Sequence, residues 1–486
     1  MIGVTTFPRL YRDSVTLMAL AARLEKLDDV ERAGVMMATP ANLEILVEAG
    51  LVTADAAWAP DDLVVAVRAA TEDALEAAAN TARSALSGDG ADSDGSGTGE
   101  PQPTSITEAL DQGALANLAC ISVPGDYAAS VVADALHAGL HVFCFSDNVA
   151  LDDEIRLKAL AVENRLLLMG PDCGTALVDG VGLGFVNEVR PGPVGIVSAS
   201  GTGAQEVACL LDHTGVGISQ ILGVGGRDLS AAVGASMTRL ALDLLDDDPD
   251  VTVLVLVSKP PAPEVAERVL GWLAERATQE RPVIACLLGV PDSGAPGQDP
   301  LIIRGSLERA AAAAAVAAGC EPVAATAAAV APARQERQIV GLFTGGTLAH
   351  EATLTLAAAG ATAEIHDLGD DQYTQGRPHP MIDPTARAEW IHTLTDHAPG
   401  VLLVDVVLGH GSHTDPAGEL VAAVQALRDG SPAGDAWRVV ATVTGTDSDP
   451  QHFPTQVARL TEAGIDVHPS TAAATRAALA LSGDNA

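Results

Sequence analysis

The sequence predicts an α/β fold made of several domains, and three observations carry this. Short apolar runs alternate with helical patterns from residue 106 onward, as repeated βαβ units require. The runs are continuous rather than alternating, as in parallel strands buried on both faces. The length, 486 residues, corresponds to about three domains of ordinary size.

Residues 1–86 form a small N-terminal α/β domain, ferredoxin-like in its alternation. A short first strand precedes an apolar-periodic helix from about Asp13 to Leu27, with Asp13 or Ser14 as its cap. The strand RAGVMMAT (32–39) runs into PANLEILVEAG, a helix with Pro40 in its first turn and Gly50 as its stop. The strand DDLVVAVRA (61–69) leads to an Ala/Glu-rich helix. Residues 87–105 have almost no large apolar side chains and read as a flexible acidic linker.

Residues 106–190 read as a doubly wound domain. Its strands LANLACISVP, LHVFCFSD and RLLLMGPDCG alternate with the helices YAASVVADALHAG and LDDEIRLKALAVEN. Residues 191–325 start a second α/β domain at PVGIVSASGTG, with further strands in ISQILGVGG, VTVLVLVS and RPVIACLLG. Residues 326–337 are a linker. Residues 338–486 form a third α/β domain, with strands in QIVGLF, TAEIHDLG, GVLLVDVVLG, RVVATVTG and GIDVHPS.

Lys plus Arg is 27 against 64 Asp plus Glu, a net charge of −37. Nucleic-acid binding needs a basic surface, so this balance argues against it. It argues equally against a polybasic membrane-surface protein. No run of about 18 apolar residues suggests a membrane span. The N-terminus lacks a secretory apolar region. The six cysteines are scattered without a CxxC pair, which signals neither zinc nor a disulfide framework and fits reduced thiols in a cytoplasmic protein. No metal site is indicated. Anionic ligands stay open, because glycine loops and helix N-termini bind them through backbone N–H groups.

The second and third domains echo one another. At a constant offset of 145 residues, Gly201, Thr202, Ala204, Glu206, Leu211 and Gly215 match Gly346, Thr347, Ala349, Glu351, Leu356 and Gly360. Both segments read as strand, Gly-Thr loop, helix and Gly stop. Duplication or convergent βα-turn chemistry accounts for the echo.

Three glycine loops follow apolar strands and open helices: Ser198–Gly203, Thr344–Thr347 and Gly409–Ser412. At such turns, backbone N–H groups and the positive helix end face one anion. The candidate phosphate ligands are Ser200, Gly201, Thr202, Gly203, Gly345, Gly346, Thr347, Gly409, Gly411 and Ser412. Tight βα turns need glycine in any case, so the number of loops counts for more than any one of them.

GHGSHTDP (409–416) adds His410, His413 and Asp415. A histidine there suits general acid–base work, or simply faces solvent. RPHPMID (377–383) supplies Arg377, His379 and Asp383. Arg377 suits a substrate carboxylate, as does Arg227 in VGGRDLS, and either is also an ordinary loop residue. Cys173 in GPDCGT has no identifiable partner histidine. Ser200 is not in a GxSxG elbow. No P-loop and no strand-linked GxGxxG with a following acid occurs.

Several of these segments carry a family resemblance. ACISVPGDYAAS, LLLMGPDCGTAL and VGIVSASGTGAQEVACLLDHTGVGISQILGVGGRDLS resemble the α subunit of succinyl-CoA synthetase. VLLVDVVLGHGSHTDPAGELVAA and VTGTDSDPQHFPTQVARLTEAGIDVHPSTAAATRAAL resemble the carboxyl-terminal ligase domain of that enzyme's β subunit. Both in one chain, behind YRDSVTLM and with HPMIDP, are similar to the FdrA family. The resemblance implies a CoA-binding Rossmann-like domain followed by two flavodoxin-like ligase domains.

The departures are informative. The α subunit of the synthetase carries a phosphorylated histidine in a Gly-His-Ala-Gly segment, whereas GVPDSGAPGQDPLIIRGS here contains no histidine. The early nucleotide loop of the CoA-binding domain is missing, its place taken by MMATPAN, and no ATP-grasp domain is present.

FdrA members are implicated in ureide (allantoin) breakdown as a subunit of oxamate carbamoyltransferase. The resemblance therefore implies carbamoyl transfer between an oxamate-like amide and phosphate, with phosphate or carbamoyl phosphate as substrate and His413 or His379 moving the proton. It implies partner subunits or a homo-oligomer. An acyl-CoA synthetase-like subunit that binds CoA, or a non-catalytic ligand-binding subunit, are the other readings.

Overall fold

The computed structural model describes residues 1–10, 12, 14–53, 58–87, 103–321, 335–374, 377–430 and 436–483. Asp13 as a cap and most of both linkers lie outside the described residues. Two compact units are formed: Met1–Thr104 with Asp371–Asp383, and Ser105–Asp370 with Pro384–Ala486.

In the first unit, β1 (Ile2–Phe7), β2 (Val30–Met37) and β3 (Leu63–Ala69) form an antiparallel sheet in the order β1-β3-β2. Successive side chains of a strand point to opposite faces. Leu63, Val65 and Val67 therefore pack on Leu17, Leu20 and Leu24. Val64 and Ala66 join Leu46 and Leu51 in a separate cluster. Thr39 accepts from Asn42 N and caps the helix Pro40–Glu48. MMATPAN therefore belongs to this antiparallel unit, and does not stand in for a nucleotide loop of the Rossmann-like domain.

In the second unit, β4 (Leu118–Ile121), β5 (His141–Cys144) and β6 (Leu168–Met169) form a parallel sheet in sequential order. A sequential order never reverses, so this sheet is not doubly wound. The doubly wound pattern belongs to the next two sheets. The hairpin β7 (Thr175–Val178) and β8 (Val181–Gly184) joins β9 (Val194–Ser198), β10 (Ile218–Gly223), β11 (Val253–Ser258), β12 (Val283–Leu287) and β13 (Leu301–Arg304). The order is β13-β12-β11-β9-β10-β7-β8. The sheet boundary thus falls before Thr175, not near Arg190.

The last sheet holds β14 (Ile339–Phe343), β15 (Ala363–Asp367), β16 (Val401–Val407), β17 (Arg438–Thr444) and β18 (Asp466–His468) in the order β15-β14-β16-β17-β18. Leaving out the hairpin, both ligase sheets run second-first-third-fourth-fifth. The internal echo is thus an echo of topology. In such sheets ligands sit beyond the carboxyl ends of the strands, where the order reverses. Here those points are the ends of β9 and β11, and of β14 and β16. No helix among the described residues is long and apolar enough to cross a membrane.

Candidate functional site

β9 is buried throughout and delivers its chain to the helix Gly201–His213. Ser200 is extended and accepts from Gly203 N at 2.9 Å, capping that helix. Ser198 Oγ donates to Ser200 O at 2.6 Å and fixes the turn. β14 is equally buried and opens the helix Gly346–Ala358. Its cap, Gly345, has no side chain, so a neighbour substitutes. Asp405 of β16 accepts from Thr344 N and Gly345 N, each at 2.8 Å, and from Thr344 Oγ1 at 3.0 Å. Arg387 lies 3.4 Å from the same carboxylate and offsets its charge.

These two loops meet. Ser200 Oγ donates to Thr347 Oγ1 at 2.6 Å. A Cβ on Gly345 would lie 2.9 Å from Thr202 Oγ1, and one on Gly203 would lie 3.1 Å from Thr347 Cγ2. Glycine is required at both places for this approach. The first N–H groups of a helix have no intrahelical partner. Those of Gly201, Thr202, Gly346 and Thr347 take no protein acceptor among the described residues. The positive ends of two helices, one from each ligase domain, converge there.

The third loop behaves otherwise. Its helix begins only at Pro416. Gly409 N donates to Gln451 Oε1 at 3.0 Å and His410 N donates to Val186 O at 2.8 Å. The Gly409 and His410 N–H groups are consumed, so Gly409 does not serve an anion, and the loop with Gly411 and Ser412 opens no helix directly. It ties the third domain to the segment before β9. Asn187 Nδ2 donates to Leu408 O at 3.0 Å and to Asp449 Oδ2 at 2.8 Å, and His410 Nε2 lies 2.6 Å from Glu188 Oε1.

The predicted side chains are scattered. His413 is half-buried, and its Nδ1 accepts from Asp415 N at 3.1 Å. Arg377 and His379 belong to the first unit. Burial pushes the His379 imidazole down to about 4, so it is neutral at physiological pH. Arg227 donates to Val149 O at 2.7 Å and pairs with Glu154 at 2.7 Å. It staples the Rossmann-like domain to the turn after β10, a structural engagement rather than an open substrate contact. Glu154 also pairs with the buried Lys158, which pairs in turn with Asp228. Burial pushes the Cys173 thiol up to about 12, which removes it as a nucleophile.

Sequence reasoning missed two groups of residues. Glu206 and Glu351 are buried and cap helices of the opposite domain. Glu206 accepts from Thr471 N at 3.0 Å and Thr471 Oγ1 at 2.6 Å. Glu351 accepts from Leu307 N at 2.7 Å. Their matched places in the repeat were the available signal. The second group is Lys259, His350 and Asp367, around the start of the helix Gly346–Ala358. The scarcity of lysine, at Lys26, Lys158 and Lys259 alone, was the only hint. Burial, offset by the Lys259 charge, holds Asp367 up at about 6. Burial and then Lys259 hold His350 below its ordinary value.

Comparison with known proteins follows the same divisions. The family described as "AllF, heavy metal-associated domain" matches residues 1–103. That stretch contains neither Cys nor His, so it offers a metal no thiolate and no imidazole. The family described as "CoA-ligase" matches residues 342–481. Subunit alpha 2 of an ADP-forming succinate–CoA ligase from Archaeoglobus fulgidus is 33% identical over 33% of this chain and 56% of its own length. The alpha subunit of a malate–CoA ligase from Methylorubrum extorquens is 28% identical over 40% of this chain and 65% of its own. This chain therefore spans less than two thirds of those ligase subunits. A solved dinucleotide-forming acetyl-coenzyme A synthetase from Ca. Korarchaeum cryptofilum overlaps 79% of this chain and 86% of its own, at 18% identity and a TM-score of 0.35, too loose an overlay to carry an inference. The uncharacterized protein YahF of Escherichia coli K12 is 36% identical over 96% of this chain and 95% of its own. With its N-terminal domain, its succinyl-CoA-synthetase-like middle and its CoA-ligase domain in that order, the chain belongs to the FdrA family.

Proposed function

We propose that this chain is the acyl-transfer subunit of an enzyme that moves a carbamoyl group between an oxamate-like amide and phosphate. One observation carries the reading: the loops that open the helices at Gly201 and Gly346 lie against one another, joined by the bond from Ser200 to Thr347. Backbone donors there hold phosphoryl oxygens and the charge that develops when a phosphate oxygen attacks the carbamoyl carbon of an N-carbamoyl amide; the O–C bond forms as the C–N bond breaks, and the oxamate-like amide leaves with the phosphate proton on its nitrogen. No phosphohistidine is needed if inorganic phosphate attacks directly, which suits a stretch 289–306 without histidine.

The likeness to CoA ligases favours a second reading, a CoA-binding subunit of an acyl-CoA synthetase-like enzyme. It requires a partner that supplies nucleotide binding and a phosphorylatable residue. Phosphorus NMR of the chain with its co-purifying partners separates the two. Oxamate-dependent release of phosphate from carbamoyl phosphate supports carbamoyl transfer. Its absence, with ATP-dependent thioester formation from CoA and a small acid, supports the second reading.

A further inference from the structure

Lys259 and Asp367 both stand against Gly346. Lys259 is the residue after β11, placed where the strand order of the second domain reverses. Asp367 closes β15 of the third domain. The Lys259 ammonium lies 3.2 Å from a Cβ built on Gly346, and the Asp367 carboxylate overlaps that same Cβ position. Asp367 Oδ1 accepts from Gly369 N at 3.0 Å. No acceptor within hydrogen-bond or ion-pair distance of Lys259 Nζ occurs among the described residues, although it acts electrostatically on Asp367 and His350. The other lysine whose partners are defined, Lys158, is buried in ion pairs.

An ammonium and a carboxylate held apart beside one glycine offer a donor and an acceptor in fixed positions. A bare phosphate or carboxylate uses the donor but is repelled by the acceptor. A primary amide uses both, its oxygen accepting from Lys259 and its N–H2 donating to the carboxylate. We propose that Lys259 and Asp367 form a recognition site for the carbamoyl or primary amide group of the substrate, and that Asp367 selects amides over the matching acids and ketones. This rests on the reading of the paired loops as an acyl-transfer site, and it adds the residues that set substrate class.

Direct binding to the full chain with its co-purifying partners tests it, with oxamate, pyruvate and oxalate as probes in titration calorimetry. Wild-type protein is expected to prefer oxamate by about tenfold or more, the scale of one hydrogen bond to a charged group. Asp367→Asn keeps an oxygen for Gly369 N and turns an N–H2 toward the ligand, so the preference is lost or reversed. Lys259→Met weakens all three ligands alike and raises the His350 pKa, read by NMR. Unchanged selectivity in a folded Asp367→Asn chain, or unchanged affinity in Lys259→Met, overturns the assignment and leaves the acyl-transfer reading standing. If folded wild-type protein binds none of the three, that reading fails, and the assignment with it.

Discussion

Glu206 and Glu351 stand 145 residues apart in the chain, and each caps a helix that belongs to the other's domain. Glu206 holds the start of the helix Thr471–Ser482, and Glu351 holds the start of Leu307–Ala317. The exchange is reciprocal, so neither ligase domain completes its own last helix alone. Each carboxylate sits one turn into the helix whose N-terminus meets its counterpart at Ser200 and Thr347. Domain pairing and the anion cradle are consequently one construction.

Removing either cap leaves buried donors without acceptors. Glu206→Ala strands Thr471 N and its hydroxyl and is expected to cost about 1–3 kcal/mol. Glu351→Ala strands Leu307 N at a cost of the same order. Thermal unfolding checks both, and the double variant should lose less than the sum, because the two act through one interface. Strict additivity would show two unrelated caps.

The same residues give the pairing a pH dependence. Burial, and for Glu206 the charge of Glu351 next, raises both carboxyl groups above their ordinary value of 4.5. A raised carboxyl value means that the folded chain holds the proton more tightly than the unfolded one. That contribution is complete below the ordinary value and is lost as pH rises through the raised one. Glu206→Gln carries no such titration. Its Tm should gain on wild type as pH increases from about 5 to 9, and a constant gap would remove the effect.

The cradle itself separates two kinds of glycine loop. Gly346→Ala drives a methyl into the Asp367 carboxylate, and Ser200→Ala removes both a helix cap and the bond to Thr347. Both should weaken phosphate binding by phosphorus NMR titration. Ser200→Ala should also cost roughly 0.5–2 kcal/mol of stability.

Gln451→Leu should do the reverse. Gln451 accepts from Gly409 N and donates to Gly409 O and His413 O. Its loss should lower Tm and leave phosphate affinity unchanged. A fall in phosphate affinity with no change in Tm would return the loop 409–412 to the anion site.

Arg227→Ala is expected to destabilise the contact between the Rossmann-like domain and the turn after β10. Its partners, Glu154 and Val149 O, are both protein groups. Hydrogen exchange in the helix Leu151–Glu163 should rise, while oxamate affinity stays the same.

The sequence by itself determined a great deal. Continuous apolar runs marked the buried parallel strands, because a strand covered on both faces has no polar side to show. The offset echo paired the two ligase helices, because a Gly-Thr turn and a Gly stop are local backbone requirements. Tertiary structure decided which backbone donors stay open. Gly409 and Gly201 are alike in sequence, but a glutamine 42 residues away consumes the Gly409 N–H, and no local pattern reports a distant acceptor. It also decided that Arg227 is a staple, that His379 is buried and neutral, and that Lys259 and Asp367 both approach one glycine. Those facts depend on burial and on partners far along the chain, which only the packed sheets bring together.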